Sequence, residues 1–233
     1  MSACFCTLAV HAPYRSRART LCAESAAVPW VVLTDAPAEF ADLPVRAIFH
    51  EPTGPMARDY LERLGPTGQN RGAAAYHDKR FVIRAALEAF DSAIFLDADS
   101  RIGTLPPLDR FPPGLAVAPF VRKTIADHLR TCGTWRRPAF EQLACELFGD
   151  IGALERAAWC HETCYGVTRD GRETRFFEAW DRGAACMQDL GVFSGEGGVM
   201  GLAAAFAGWT IDYDALTPLF AVVAHEGGGP KAR

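Results

Sequence analysis

Residues 76–102 read YHDKRFVIRAALEAFDSAIFLDADSRI, and this stretch decides the fold. Tyr76, Ile83, Leu87 and Phe90 recur at helical spacing, which predicts a helix over 73–90. AIFLDAD at 93–99 follows as an apolar run closed by two aspartates. A run without alternation predicts a strand buried on both faces, as in a parallel sheet. The rest of the chain continues the alternation. Strands are predicted at 4–10, 30–35 and 45–50, with a helix over 16–27. Residues 51–72 turn to Pro, Gly, Thr and Asn around a short helix near 56–64, and read as a loop able to close over a ligand. Downstream, a strand is predicted at 115–119, helix over 123–158 with a break at Pro138, and a strand at 164–168. Helices at 172–190 and 196–207 and strands at 209–213 and 220–224 complete the pattern. The fold class expected is α/β: one domain over 1–233, with a central, mostly parallel sheet flanked by helices. Residues 1–119 form its nucleotide-type half and residues 120–233 its more variable half.

Composition narrows the function. The 233 residues are 49% hydrophobic and 22% charged, which excludes a disordered or fibrous chain. Lys+Arg 24 against Asp+Glu 28 gives a net charge of −4. No broad basic surface for duplex nucleic acid is expected, although a local basic pocket is compatible with that balance. CFCTLAV precedes Arg15, Arg17 and Arg19, the reverse of the order in a secretory signal, and no run approaches the ~18 apolar residues of a membrane span. The expectation is a soluble, cytoplasmic protein whose thiols stay reduced. Cys4 and Cys6 then read as small strand residues. Cys160 and Cys164 flank His161 in WCHETC, a partial zinc pattern. The next pair, Cys132 and Cys145, is spaced too widely to complete it, and buried thiols are the simpler reading.

Asp97 and Asp99 stand where ligands bind in open α/β sheets, beyond the carboxyl end of a buried strand. Two carboxylates so close repel unless a cation lies between them, which suits manganese or magnesium. A helix cap with a second acidic residue accounts for the same pattern. In the preceding helix Arg80 lies four residues after Tyr76 and three before Ile83, so its expected direction is along the buried face. An arginine there needs an anion: Asp97, Asp99 or a ligand phosphate, or else an ordinary helix–strand salt bridge. Lys79 sits beside it. At the other end, His225, Gly228 and Lys231 follow the apolar LFAVVA. Histidine offers a metal ligand, glycine a close backbone approach and lysine a point charge.

With these residues in view, the chain resembles glycosyltransferases of the GT-A fold, and family 8 in particular. The helix–strand–DxD unit at 76–102 and the terminal His-x-x-Gly-x-x-Lys in HEGGGPK carry the resemblance. It implies a hexosyltransferase that moves a sugar from a nucleotide-sugar, a UDP-sugar, to a sugar or other hydroxyl acceptor, with retention. It implies Asp97, Asp99 and His225 as ligands to Mn2+ or Mg2+. Gly228 and Lys231 would meet the diphosphate, as would Arg80, which also reaches the donor sugar. Lys79 and Ala98 belong to the same donor side. LAVHAPY resembles the segment that holds the base, with Ala9 offering backbone atoms and Tyr14 a stacking ring. His11 stands where family 8 often has an acidic residue. Glu196 occupies a place near the reacting sugar, as base, acceptor contact or nucleophile, where family 8 often has DQD. His161, Glu162 and Tyr165 are expected on the acceptor side. Rival readings are a haloacid-dehalogenase-type phosphatase, disfavoured by Ser100-Arg101 in place of Gly-Thr, and a sugar nucleotidyltransferase, disfavoured by the first strand. A non-catalytic nucleotide-binding module is a third.

Overall fold

The computed structural model describes residues 2–53, 75–105, 111–119, 122–192 and 195–225. The short helix expected near 56–64, Gly228 and Lys231 lie outside them. Strands β1 (Ala3–Ala9), β2 (Trp30–Thr34) and β3 (Val45–Phe49) pair in parallel, Phe5 opposite Trp30 and Trp30 opposite Val45. β4 (Ser92–Leu96) returns to the other side of β1, with Phe5 opposite Ile94. Strand order therefore reverses between β1 and β4, which opens a crevice at their carboxyl ends. β7 (Cys164–Thr168) joins β4 antiparallel, and β6 (Gly114–Val117) joins β7 antiparallel. The sheet order is β3-β2-β1-β4-β7-β6.

The apolar runs behave as their composition dictates. Every residue of β2, β4 and β7 is buried. Helix α1 (Ala12–Glu24) covers one face through Ala18, Leu21 and Cys22, and α2 (Ala75–Leu87) covers the other through Val82, Ile83 and Ala86. Each such aliphatic side chain contributes about 1.5–3 kcal/mol by leaving water. Among the described residues, no helix is long and apolar enough to cross a membrane. All eight cysteines are free, and six of them are buried.

The second half carries α3 (Ile125–Thr131), α4 (Arg137–Phe148), α5 (Ala153–Arg156), α6 (Glu173–Asp189), α7 (Glu196–Ala207) and α8 (Thr217–Phe220). α7 is apolar almost all round and is accordingly buried. A Cβ on Gly197 would overlap the Cys160 carbonyl, and one on Gly201 the Ala158 carbonyl. These two glycines let the 158–162 segment lie directly on α7, with Cys160 N–H donating to the Gly197 carbonyl at 3.2 Å.

Several boundaries differ from expectation. α1 begins at Ala12, because Pro13 suits a first turn and His11 takes the cap with φ of 71°. The expected break at Pro138 falls instead at Gly133, whose φ is +93°, and Pro138 sits in the first turn of α4. Residues 209–213 make only one bridge, Ala116 to Asp212, rather than a strand. The strand expected at 220–224 is shorter and later, β8 (Val223–His225). It pairs antiparallel with β5 (Ser100–Ile102), three residues too few to read from sequence.

Candidate active site

The carboxyl ends of β1 and β4 meet the loop entering β7. Because β7 runs against β4, it is the start of β7 that lies beside the acidic pair. Asp97 N–H donates to the Thr163 carbonyl at 3.1 Å, and Ser100 N–H donates to the Asp97 carbonyl at 2.9 Å. Ala98, between the aspartates, is buried, whereas the Asp97 and Asp99 side chains stay 20% and 13% exposed. Their carboxylates thus line the crevice instead of filling the core. β5 leaves directly after Asp99, and Ser100 pairs opposite His225. The His225 backbone is thereby brought back to the acidic pair across more than a hundred residues of sequence.

Lys79 is the hub beneath this crevice. It is 5% exposed, with Nζ 2.8 Å from Asp97 Oδ1 and 2.9 Å from Glu196 Oε1. It also donates to the Glu162 carbonyl at 3.0 Å, and lies 5.1 Å from the Phe95 ring centroid. Burial disfavours the ammonium, but Asp97 and Glu196 outweigh that and hold its pKa well above the ordinary lysine value. Lys79 therefore stays charged, and it ties α2, β4 and α7 together. Glu162 Oε1 accepts the Gly197 N–H at 2.9 Å. Burial, and then the charge of Glu196, pushes the Glu162 carboxyl up.

Arg80 turns away from this hub. Its Nε donates to Asp181 Oδ1 at 2.7 Å, its NH1 donates to the His77 carbonyl at 2.7 Å, and its guanidinium lies 3.9 Å from the Phe81 ring centroid. One helical step, about 100°, separates neighbouring side chains, so the lysine and not the arginine reaches the acidic pair. Tyr165 is also displaced from expectation. It is completely buried under the crevice, stacked on Phe95 with centroids 5.0 Å apart, so it offers the acceptor side no surface. His161 and Glu162 are both half-buried, and the His161 Nδ1 lies 3.0 Å from the Thr163 hydroxyl. The pattern Cys160-His161-Cys164 does not converge: both thiols are fully buried. Among the described residues, no three His, Cys, Asp or Glu side chains gather as a metal site.

At β1, Ala9 is buried at the strand end and His11 is exposed. The His11 N–H donates to Asp35, at 3.2 and 3.3 Å to its two oxygens, and Arg15 holds that carboxylate at 2.8 Å. Among the described residues, His11 is the one non-glycine with positive φ, a conformation that costs energy and concentrates at functional turns. Tyr14 follows in the first turn of α1, half-buried. Sequence reasoning missed Arg17, whose NH1 lies 3.7 Å from Asp99 Oδ2. An exposed arginine on a helix carries no signal of its target strand.

No protein-family model matches the chain, and no curated protein matches it. Among solved structures it is similar to the galactosyltransferase LgtC in complex with donor and acceptor sugar analogs, with a TM-score of 0.55 and 14% identity, over 99% of this chain and 88% of that one. The likeness is one of fold: a single-domain, mixed α/β GT-A architecture with a mostly parallel six-stranded sheet.

Proposed function

We propose that the protein is a metal-dependent glycosyltransferase that moves a hexose from a nucleotide-sugar, a UDP-sugar, to a hydroxyl acceptor with retention. One observation carries the reading: the β5–β8 pairing brings the His225 backbone opposite Ser100, one residue beyond Asp99, at the crevice between β1 and β4. The GT-A architecture supports it. Asp97 and Asp99 are hard oxygen donors on a rigid strand end, partly open to solvent, and with His225 they suit Mn2+ or Mg2+. Bound there, the cation supplies charge neutralisation for a departing diphosphate.

The chain's own residues do the rest. The positive φ of His11 turns the β1 exit toward the crevice, so that Ala9 presents backbone atoms to the base and Tyr14 its ring. Gly228 and Lys231 are assigned to contact the diphosphate. Lys79 fixes the Asp97 carboxylate by a charge-assisted bond and holds Glu196 at the floor beneath the sugar, where Glu196 contacts the reacting face. Preorganised charges of this kind act without reorganising during reaction. His161 and Glu162 border the acceptor. We place the protein in the cytoplasm, where nucleotide-sugars are made.

The test is binding before catalysis. UDP at about a hundred times its Kd should raise Tm by roughly 5–10 °C in manganese and leave it unchanged in EDTA. Asp99→Asn should lower sugar transfer at least 100-fold with Tm within about 2 °C of wild type. Equal stabilisation with and without metal would remove the cation from the proposal. Release of phosphate from simple phosphoesters, with no UDP binding, would favour the phosphatase reading.

A further inference from the structure

A second cation stands near Glu196 on the opposite terms from Lys79. Arg136 follows α3 and reaches the start of α7. It is seated between two glycines of left-handed conformation, Gly133 at φ +93° and Gly195 at φ +94°. A Cβ on Gly133 would lie 2.6 Å from its Nε, and one on Gly195 3.0 Å from its NH1. The NH2 group donates to the Cys132 carbonyl at 2.6 Å and lies 3.2 Å from His128 Nε2. His128 stacks flat on Trp159, with centroids 4.5 Å apart and planes 6° apart, and Lys123 Nζ lies 4.6 Å from that indole centroid. The edge of Trp159 meets His161, which reaches Thr163 and through its carbonyl Asp97. The strip Lys123–Trp159–His128–Arg136 therefore runs up to the candidate active site.

This strip has no carboxylate bonded to its cations. Asp214 bonds Arg122, Asp127 and Glu155 bond Arg130, and Glu162, whose carboxyl feels the charge of Arg136, accepts the Gly197 N–H instead. Among the described residues, neither Lys123 nor Arg136 bonds a carboxylate, whereas Arg15, Arg19, Arg84, Arg156 and Arg172 each do. His128 Nδ1, Arg136 Nε and Trp159 Nε1 are buried without partners. Buried polar nitrogens without partners are uncommon, and three in one cluster beside two unmatched cations lack the same thing. Burial, with Lys123 and Arg136 on either side, pushes His128 down to about 4, so it adds no positive charge near neutrality.

We infer that this strip is an anion-binding subsite and that the hydroxyl acceptor carries a phosphate group. It shares no residue with the donor crevice and joins His161, an acceptor-side candidate, through Trp159, so we assign it to the acceptor flank. The arginine fork suits phosphate geometry, and Lys123 on the Trp159 ring adds positive potential to the strip. The word acceptor rests on the proposed transferase reading; the anion site does not.

The experiment is a calorimetric titration of the full chain, saturated with UDP and manganese, with glucose 6-phosphate and, separately, glucose. Glucose 6-phosphate should bind at least tenfold tighter than glucose. Arg136→Ala and Lys123→Ala should each weaken it at least fivefold while UDP affinity stays within twofold. Equal binding of the two sugars, or unchanged glucose 6-phosphate affinity in both variants, overturns the inference. So does a loss of UDP affinity in Arg136→Ala, which would give the strip to the donor. Should UDP itself fail to bind the wild type, glucose 6-phosphate binding that Arg136→Ala abolishes would keep the anion subsite while the donor reading falls.

Discussion

Lys79 and Arg136 both serve the start of α7, and the protein treats them in opposite ways. Lys79 is buried, bonded to two carboxylates and a carbonyl, and held charged by them. Arg136 is half-buried, bonded to a carbonyl and an imidazole, and, among the described residues, bonds no carboxylate. The first is complete within the chain: its geometry is set before any ligand arrives. The second keeps donors in reserve. A site that must orient one partner and accept another needs both kinds of cation, and only the incomplete one points to a ligand.

Breaking the complete side should have the largest effect. Lys79→Met leaves the buried Glu196 and the half-buried Asp97 without their counter-charge, a loss of about 3–5 kcal/mol. For a chain of this size that corresponds to a fall in Tm of roughly 10 °C. Adding Glu196→Gln should restore part of it, since one stranded charge is removed. Thermal melts of both variants decide the matter. A Lys79→Met protein as stable as wild type would mean that the hub is not the anchor its geometry describes.

A smaller effect tests the same helix. His77 is buried beside Lys79, with neither ring nitrogen bonded. Burial drives its pKa from 6.5 to about 4. The unfolded chain therefore binds the extra proton first as pH falls. Stability from this residue is full above about 6.5 and drains away toward 4, by roughly 3 kcal/mol across that window. Urea midpoints at pH 7.5 and 4.5 should show the loss, and His77→Phe should flatten it. His128 titrates in the same direction, so the difference between variant and wild type is the quantity to read.

The sequence made the complete side far more legible than the incomplete one. Runs such as AIFL and WVVL state their own burial, and the Asp-x-Asp pair follows from where such a strand must end. The face of α2 was legible only to within one residue: its apolar stripe placed Arg80 at the hub, where Lys79 stands. A step of 100° is smaller than the width of an apolar stripe, so periodicity alone does not separate neighbours on its border. The Arg136 seat left no sequence signal, because it joins Gly133 and Arg136 of one segment to Trp159 and Gly195 of two others. Long-range convergence of polar residues has no period to read. β5 was missed, and β8 was expected too early, at 220–224, for a related reason: three residues carry too little pattern, and their pairing depends on distant segments that meet only in the fold.

Breaking the incomplete side should cost least. Arg136→Ala removes its bonds to an exposed carbonyl and to the His128 ring, about 1 kcal/mol each, but also removes a buried nitrogen without a partner and a positive charge near Lys123. The two nearly cancel, so Tm should shift by no more than about 2 °C, against roughly 10 °C for Lys79→Met. The glycines at 133 and 195 sharpen the contrast. They maintain room for a side chain that contributes little stability, and both hold a backbone conformation that other residues adopt at a cost. If Arg136→Ala melts as early as Lys79→Met, then Arg136 is structural, its seat is explained by folding alone, and the two cations are not different in kind. If it melts with wild type, the arginine is kept for something outside the chain.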